Sequence, residues 1–241
     1  TGIRRQRQMC IRDRNVPSLV RNDQVIMRWG NSGSATPSYV TDGSAWSNYA
    51  GMYHLDQAVG ATAPDSSPHS NHAQMNDSAN PPQKASVSIA GGAYNFAKNQ
   101  NRWFSASSIS GTVKLDDFTL SGWVRATVND AQNWHDYYGI NTTNGGQLRF
   151  EANTNNPPRI HVPASGIVHP NLYSSNNSAG KLDVDEWNHL VFTGTGGKLN
   201  LYMNGVLNTS NNFQEGAQVG GFVVIAQANN NSAGAIHDLS L

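Results

Sequence analysis

The chain has 241 residues, of which 13% are charged and 9% aromatic, and its 16 basic residues balance 16 acidic ones. That neutrality gives no reason to expect a nucleic-acid partner, and the wide spread of Trp and Tyr separates the chain from disordered sequences. No apolar run approaches the roughly 18 residues of a membrane helix, so this segment is not expected to insert into a membrane, and no intact signal peptide is visible.

Residues 4–14 read RRQRQMCIRDR. The string resembles the in-frame translation of a transposase-based sequencing-library adapter; the alternative is a genuine, solvated basic tail. Setting residues 1–14 aside as an artefact leaves 11 basic and 15 acidic residues, a net charge of −4. It also removes Cys10, the sole cysteine, and with it any disulfide or thiol chemistry. The implied source is a metagenomic fragment cut at both ends.

Residues 15–47 carry one strand pattern at 24–29 (QVIMRW), followed by a polar loop, GNSGSATPS. Residues 48–241 read as a run of short strands. The first expected strand covers 52–55, followed by the loop Asp65-Ser66-Ser67. Pro81 and Pro82 exclude a central strand there, because proline lacks the ladder N–H. Residues 91–104 read as strand, polar turn and strand, with Phe96, Trp103 and Phe104 as candidate core. Residues 117–126 (DFTLSGWVRA) alternate cleanly, with Phe118, Leu120, Gly122 and Val124 on one face and Trp123 on the other. A turn at 144–146 and a strand at 147–152 follow. Residues 161–180 read as a long loop or insertion.

The clearest pattern runs over residues 185–207, DEWNHLVFTGTGGKLNLYMNGVL. Two period-two runs flank Thr195-Gly196-Gly197, and Asn204-Gly205 supplies a second tight turn whose central positions need positive φ. Residues 221–227 (GFVVIAQ) form an apolar strand, and 234–241 (GAIHDLSL) begin another.

The phrase from Trp187 through "LYMNGVL", together with "FTLSGWV" at 118–124 and the His-Leu-acid and Asp-Ser-Ser run at 54–67, resembles laminin-G-like modules of the concanavalin A-like lectin/glucanase superfamily. The resemblance implies an all-β fold, a jelly-roll sandwich of two antiparallel sheets, with its last strand truncated and a sheet edge exposed. Residues 15–47 resemble the closing segment of a bacterial β-sandwich domain that precedes such modules in exported proteins. An extracellular or cell-surface setting follows from that resemblance.

Because glucanases share the fold, paired carboxylates matter first. Glycoside hydrolysis needs two carboxyls flanking one bond. The three Glu (Glu151, Glu186, Glu215) form no Glu-x-Asp-x-Glu strand pattern, and Asp183, Asp185 and Glu186 sit in a turn. The eight His are scattered without zinc-ligand spacing, and no nucleophile elbow is present. The chain is therefore expected not to be an enzyme. His54, His189 and His237 read as structural histidines in strands.

Similar modules hold a structural calcium, and the resemblance implies Asp65 and Asp238, with carbonyls near Gly60, as its ligands. The alternative has Asp65 capping its own turn and Asp238 as an edge charge. Sugar sites pair exposed rings with Asn, Asp and Gln side chains. Trp134, His135, Asp136, Tyr137 and Tyr138 have that composition, unless one or two of those rings are core. The expected function is a non-catalytic module binding a glycan or a cell-surface protein. The alternatives are a structural or adhesive spacer without a ligand and, less favoured, a glycoside hydrolase.

Overall fold

A computed structural model describes residues 42–56, 60–79, 81–86, 88–89, 92–96, 102–106, 113–114, 117–126, 135–142, 147–152, 159–161, 172–173, 182, 184–212, 218–225 and 234–240. The expected strand at 24–29, the turn at 144–146, the adapter-like residues 1–14 and most of the expected loop at 161–180 lie outside them.

The described strands are β1 (Met52–Tyr53), β2 (Thr62–Ala63), β3 (Ala73–Met75), β4 (Gln83–Lys84), β5 (Tyr94–Phe96), β6 (Phe104–Ser105), β7 (Val113–Lys114), β8 (Asp117–Ala126) and β9 (His135–Thr142). They continue as β10 (Gln147–Ala152), β11 (Arg159–His161), β12 (Leu172–Tyr173), β13 (Trp187–Thr195), β14 (Lys198–Met203), β15 (Val206–Asn212), β16 (Gln218–Ile225) and β17 (Gly234–Ser240). The expected long loop after residue 161 thus contains a short strand, β12. The helical content among the described residues is one 3-10 turn, Ser44–Trp46.

The strands form two antiparallel layers. One has the order β15-β14-β13-β8-β17, and β17 pairs on its far side with β5 at one end and β1 at the other. The second has the order β12-β11-β10-β9-β16, with β6 and β7 on the far side of β16 and β3 beyond β6. The layers meet where Lys114 pairs with Asp117. The last strand, expected to stop short and leave an edge, runs in the interior of its sheet between β8 and β1/β5.

The β13–β14 hairpin forms because its turn residues accept the left-handed region. Gly196 and Gly197 have φ of 54° and 74°, and Asn204 and Gly205 have 51° and 81°. Turns of this hand match the strand twist. Asn204 ties the second turn to the sheet: its N–H donates to the His189 carbonyl, and its Oδ1 accepts from the His189 N–H at 2.9 Å.

Alternation then sorts the faces. Phe118, Leu120, Val124, Leu190, Phe192, Leu201 and Met203 are buried between the layers with Met75, Phe96, Phe104, Tyr138 and Ile225. Phe192 packs edge-on against Phe118 at 5.5 Å and parallel to Tyr138 at 6.4 Å. The Tyr138 hydroxyl crosses the core to donate to the Leu190 carbonyl at 2.7 Å. This bond satisfies a phenol that would otherwise be buried at a cost of about 1–3 kcal/mol.

Candidate functional site

With the inner residues of β8 and β13 committed to the core, the intervening ones face outward. Register pairs Trp123 with His189, Ser121 with Val191 and Thr119 with Thr193, and Tyr202 on β14 lies opposite Val191. These strands form the floor of a groove of about 930 Å³, and Asn48, Tyr49 and Ala50 of the preceding strap also line it. The volume falls at the upper end of the range of about 300–1,000 Å³ common for ligand sites.

The strap is held in place rather than draped. Gly43 has φ 75°, and a Cβ there would lie 2.8 Å from the Pro68 nitrogen, so only glycine permits this approach to the loop at 66–68. Trp46 packs edge-on against Tyr49 at 5.2 Å and His54 at 5.5 Å. Asn71 Nδ2 donates to the Ala50 carbonyl at 2.9 Å. Residues 42–47, the end of the stretch at 15–47 that resembles the tail of a preceding domain, pack against the sandwich.

His189 Nε2 lies 2.8 Å from Ser121 Oγ, and its ring lies 4.8 Å from that of Trp123 at an angle of 30°. Burial lowers its pKa from 6.5, so the imidazole is neutral at pH 7, with one nitrogen donating and the other accepting. No carboxylate is bonded to this ring among the described residues, so the Ser–His contact lacks the third member of a catalytic triad. Among the described residues the lining holds one carboxylate, Asp117, and several hydroxyls (Tyr49, Thr119, Ser121, Thr193, Thr195, Tyr202).

The expected sugar-contacting run lies in the other layer. Tyr137 and Tyr138 are 2% and 1% exposed. As placed, neither ring offers a face to a ligand, and both are core, the alternative the sequence left open. Burial raises the pKa of both phenols, and the Tyr137 hydroxyl has no hydrogen-bond partner among the described residues. Trp134 and the side chains of His135 and Asp136 lie outside the described residues. In register, Asp136 and Glu151 face each other across β9 and β10. Glu151, however, is 3% exposed and lies 3.6 Å from the Arg149 guanidinium, so its carboxylate is neutralised rather than presented to a substrate.

Asp65 does not fit the calcium expected from the sequence. Its Oδ1 accepts from the Met52 and Ser67 N–H groups, both at 2.8 Å. Its Oδ2 accepts from the Ser67 hydroxyl at 2.7 Å and the Asn71 N–H at 2.9 Å. Two donors on each oxygen use the lone pairs that a cation needs. The Asp238 side chain lies outside the described residues, and among those residues no group of three or more His, Cys, Asp or Glu could hold a metal.

Sequence reasoning missed Tyr49, Ser121 and Tyr202 and read His189 as structural. The available signal was the polar outer face of the two clearest strands, but pairing that face with the strap requires the fold.

No curated protein matches the chain. Among solved structures, domain 4 of AbnA, an extracellular arabinanase from Geobacillus stearothermophilus solved with arabinotriose, is similar at 16% identity and TM-score 0.56, covering 80% of this chain and 90% of that one. The Trypanosoma rangeli sialidase is similar at 14% identity and TM-score 0.56, covering 79% of this chain, which spans only 29% of the sialidase. The binding domain of botulinum neurotoxin serotype G is similar at 15% identity and TM-score 0.53, covering 80% of this chain and 47% of that one. At such identities the likeness shows the fold alone. The Laminin_G_3 family, described as the concanavalin A-like lectin/glucanases superfamily, matches residues 98–241. With that match spanning more than half of the sequence and the two-layer antiparallel architecture in agreement, the chain belongs to the concanavalin A-like lectin/glucanase superfamily.

Proposed function

We propose that this segment is a non-catalytic carbohydrate-binding module of an exported or cell-surface protein. The observation that carries the reading is the groove on the outer face of β8, β13 and β14. Its hydroxyls, the Asn48 amide and the His189 imidazole suit hydroxyl-rich ligands, and Tyr49 and Tyr202 supply rings for the apolar C–H faces of sugars. A single carboxylate in the lining among the described residues supports binding without hydrolysis, since the two-carboxyl mechanism needs a second. The arabinanase domain solved with arabinotriose supports the same class of ligand.

The test is a glycan array probed with the whole chain and with Tyr49→Ala and Tyr202→Ala. Losing either ring is expected to weaken any array signal about tenfold, in line with about 1 kcal/mol for an aromatic contact. Signals unchanged in both variants would remove the groove from consideration.

A second reading, a structural spacer, is favoured by Val206 and Leu207. They are 64% and 52% exposed beside the Asn204-Gly205 turn, where a neighbouring domain could cover them. Replacing both with Thr would leave glycan binding intact and would reduce only contacts with flanking domains.

A further inference from the structure

We infer that the groove selects uncharged saccharide chains and discriminates against sialylated or uronic ones; this rests on the carbohydrate-binding reading above. From the Trp123–His189 pair to the Asp117–Thr195 pair, the floor runs six residue steps along β8, about 20 Å at ~3.4 Å per residue. Along that length its side chains are Ser121, Val191, Thr119 and Thr193, flanked by Tyr202, and none carries a charge. Among the described residues, the one charge in the lining is the exposed carboxylate of Asp117, at the far end.

The cations near the groove among the described residues do not alter this balance. The Arg125 guanidinium is committed to Asp185 at 2.7 Å. Lys198 is exposed opposite Thr195, and Lys114 is in register with Asp117, both at that same far end. An anionic sugar lying on the floor would lose hydration without meeting a counter-charge, a cost neutral hydroxyls do not incur. The hydroxyls of Ser121, Thr119 and Thr193 both donate and accept, as sugar hydroxyls do, so neutral rings can exchange water contacts for equivalent ones.

Calorimetric titration of the whole chain with arabinotriose, cellotriose and maltotriose, set against sialyllactose and trigalacturonate, tests this. Binding of at least one uncharged probe, with the acidic probes about tenfold weaker or worse, is the expected result. Thr119→Lys, a change at an exposed position, is expected to narrow or reverse that preference. Acidic probes that bind as tightly as neutral ones, with binding lost in Tyr202→Ala, would overturn the selectivity while leaving the carbohydrate reading standing. If none of the five probes binds, both fall. An unchanged preference in a folded Thr119→Lys variant would also overturn the inference, because the discriminating charge would then lie elsewhere.

Discussion

The carboxylate of Asp65 takes four hydrogen bonds from donors spread over residues 52–71. Two come from the adjacent Ser67, as an Asx-type turn would provide. The other two come from Met52 on β1 and from Asn71, and they lock the loop against the first strand. His72 Nδ1 adds a bond from the Asp65 N–H at 3.0 Å. Asp65→Ala would leave these buried donors unsatisfied and is expected to cost about 3 kcal/mol, measurable by urea unfolding. In the same experiment, millimolar calcium is expected to leave the wild-type midpoint unchanged, since the oxygens are already engaged; a clear rise would restore the metal. The sequence showed the Asp-Ser-Ser phrase and its local bonds. It could not show the distant donors, which meet Asp65 only after β1 and the segment around Asn71 converge.

The hairpin and the strap differ in how much of them is local. Residues 187–203 alternate with period two on both sides of a Gly-Gly turn, so strand, turn and register follow from neighbouring residues alone. The strap at 42–50 depends instead on a close approach between Gly43 and residues 66–68. Nothing near Gly43 in sequence signals that contact, which is why residues 15–47 read as the tail of a preceding domain. Gly43→Ala would force a side chain into a left-handed conformation and against backbone, at a cost of about 2 kcal/mol. Because Tyr49 lines the groove from that strap, the same change is expected to weaken glycan binding as well as lower the melting temperature. Unaltered values of both would show that the strap is not a wall of the site.

Over the whole molecule, buried titratable groups set the pH range of stability. His189 has its pKa lowered from 6.5 by burial, so the unfolded chain takes up a proton more readily than the folded one. Its contribution is present above about pH 6.5 and is lost as pH falls through the folded value. Tyr53, Tyr94, Tyr137 and Tyr138 shift the other way: burial raises each above 10, with Asp65 adding to Tyr53 and Asp56 to Tyr94. Their contribution is present below about pH 10 and is lost as pH rises towards the folded values. Scanning calorimetry from about pH 5 to about pH 11 should show the melting temperature falling at both ends, with the acid limb flattened in His189→Gln. A profile flat above pH 10 would contradict the burial of these phenols.

Sequence alone determined the all-β class and the main hairpin, because strand period and glycine turns are encoded within a few residues of each other. The superfamily was legible through the resemblance carried by the phrases at 118–124 and 187–207. Tertiary structure decided which aromatic residues are core and which line the groove. Tyr137 and Tyr138 resemble a sugar site in composition, yet both are buried in the core, with Tyr138 packed against the facing layer. Ser121 and His189 are ordinary strand residues until register sets them 2.8 Å apart on an open face. Burial depends on contacts between segments distant in sequence, and no local pattern contains them.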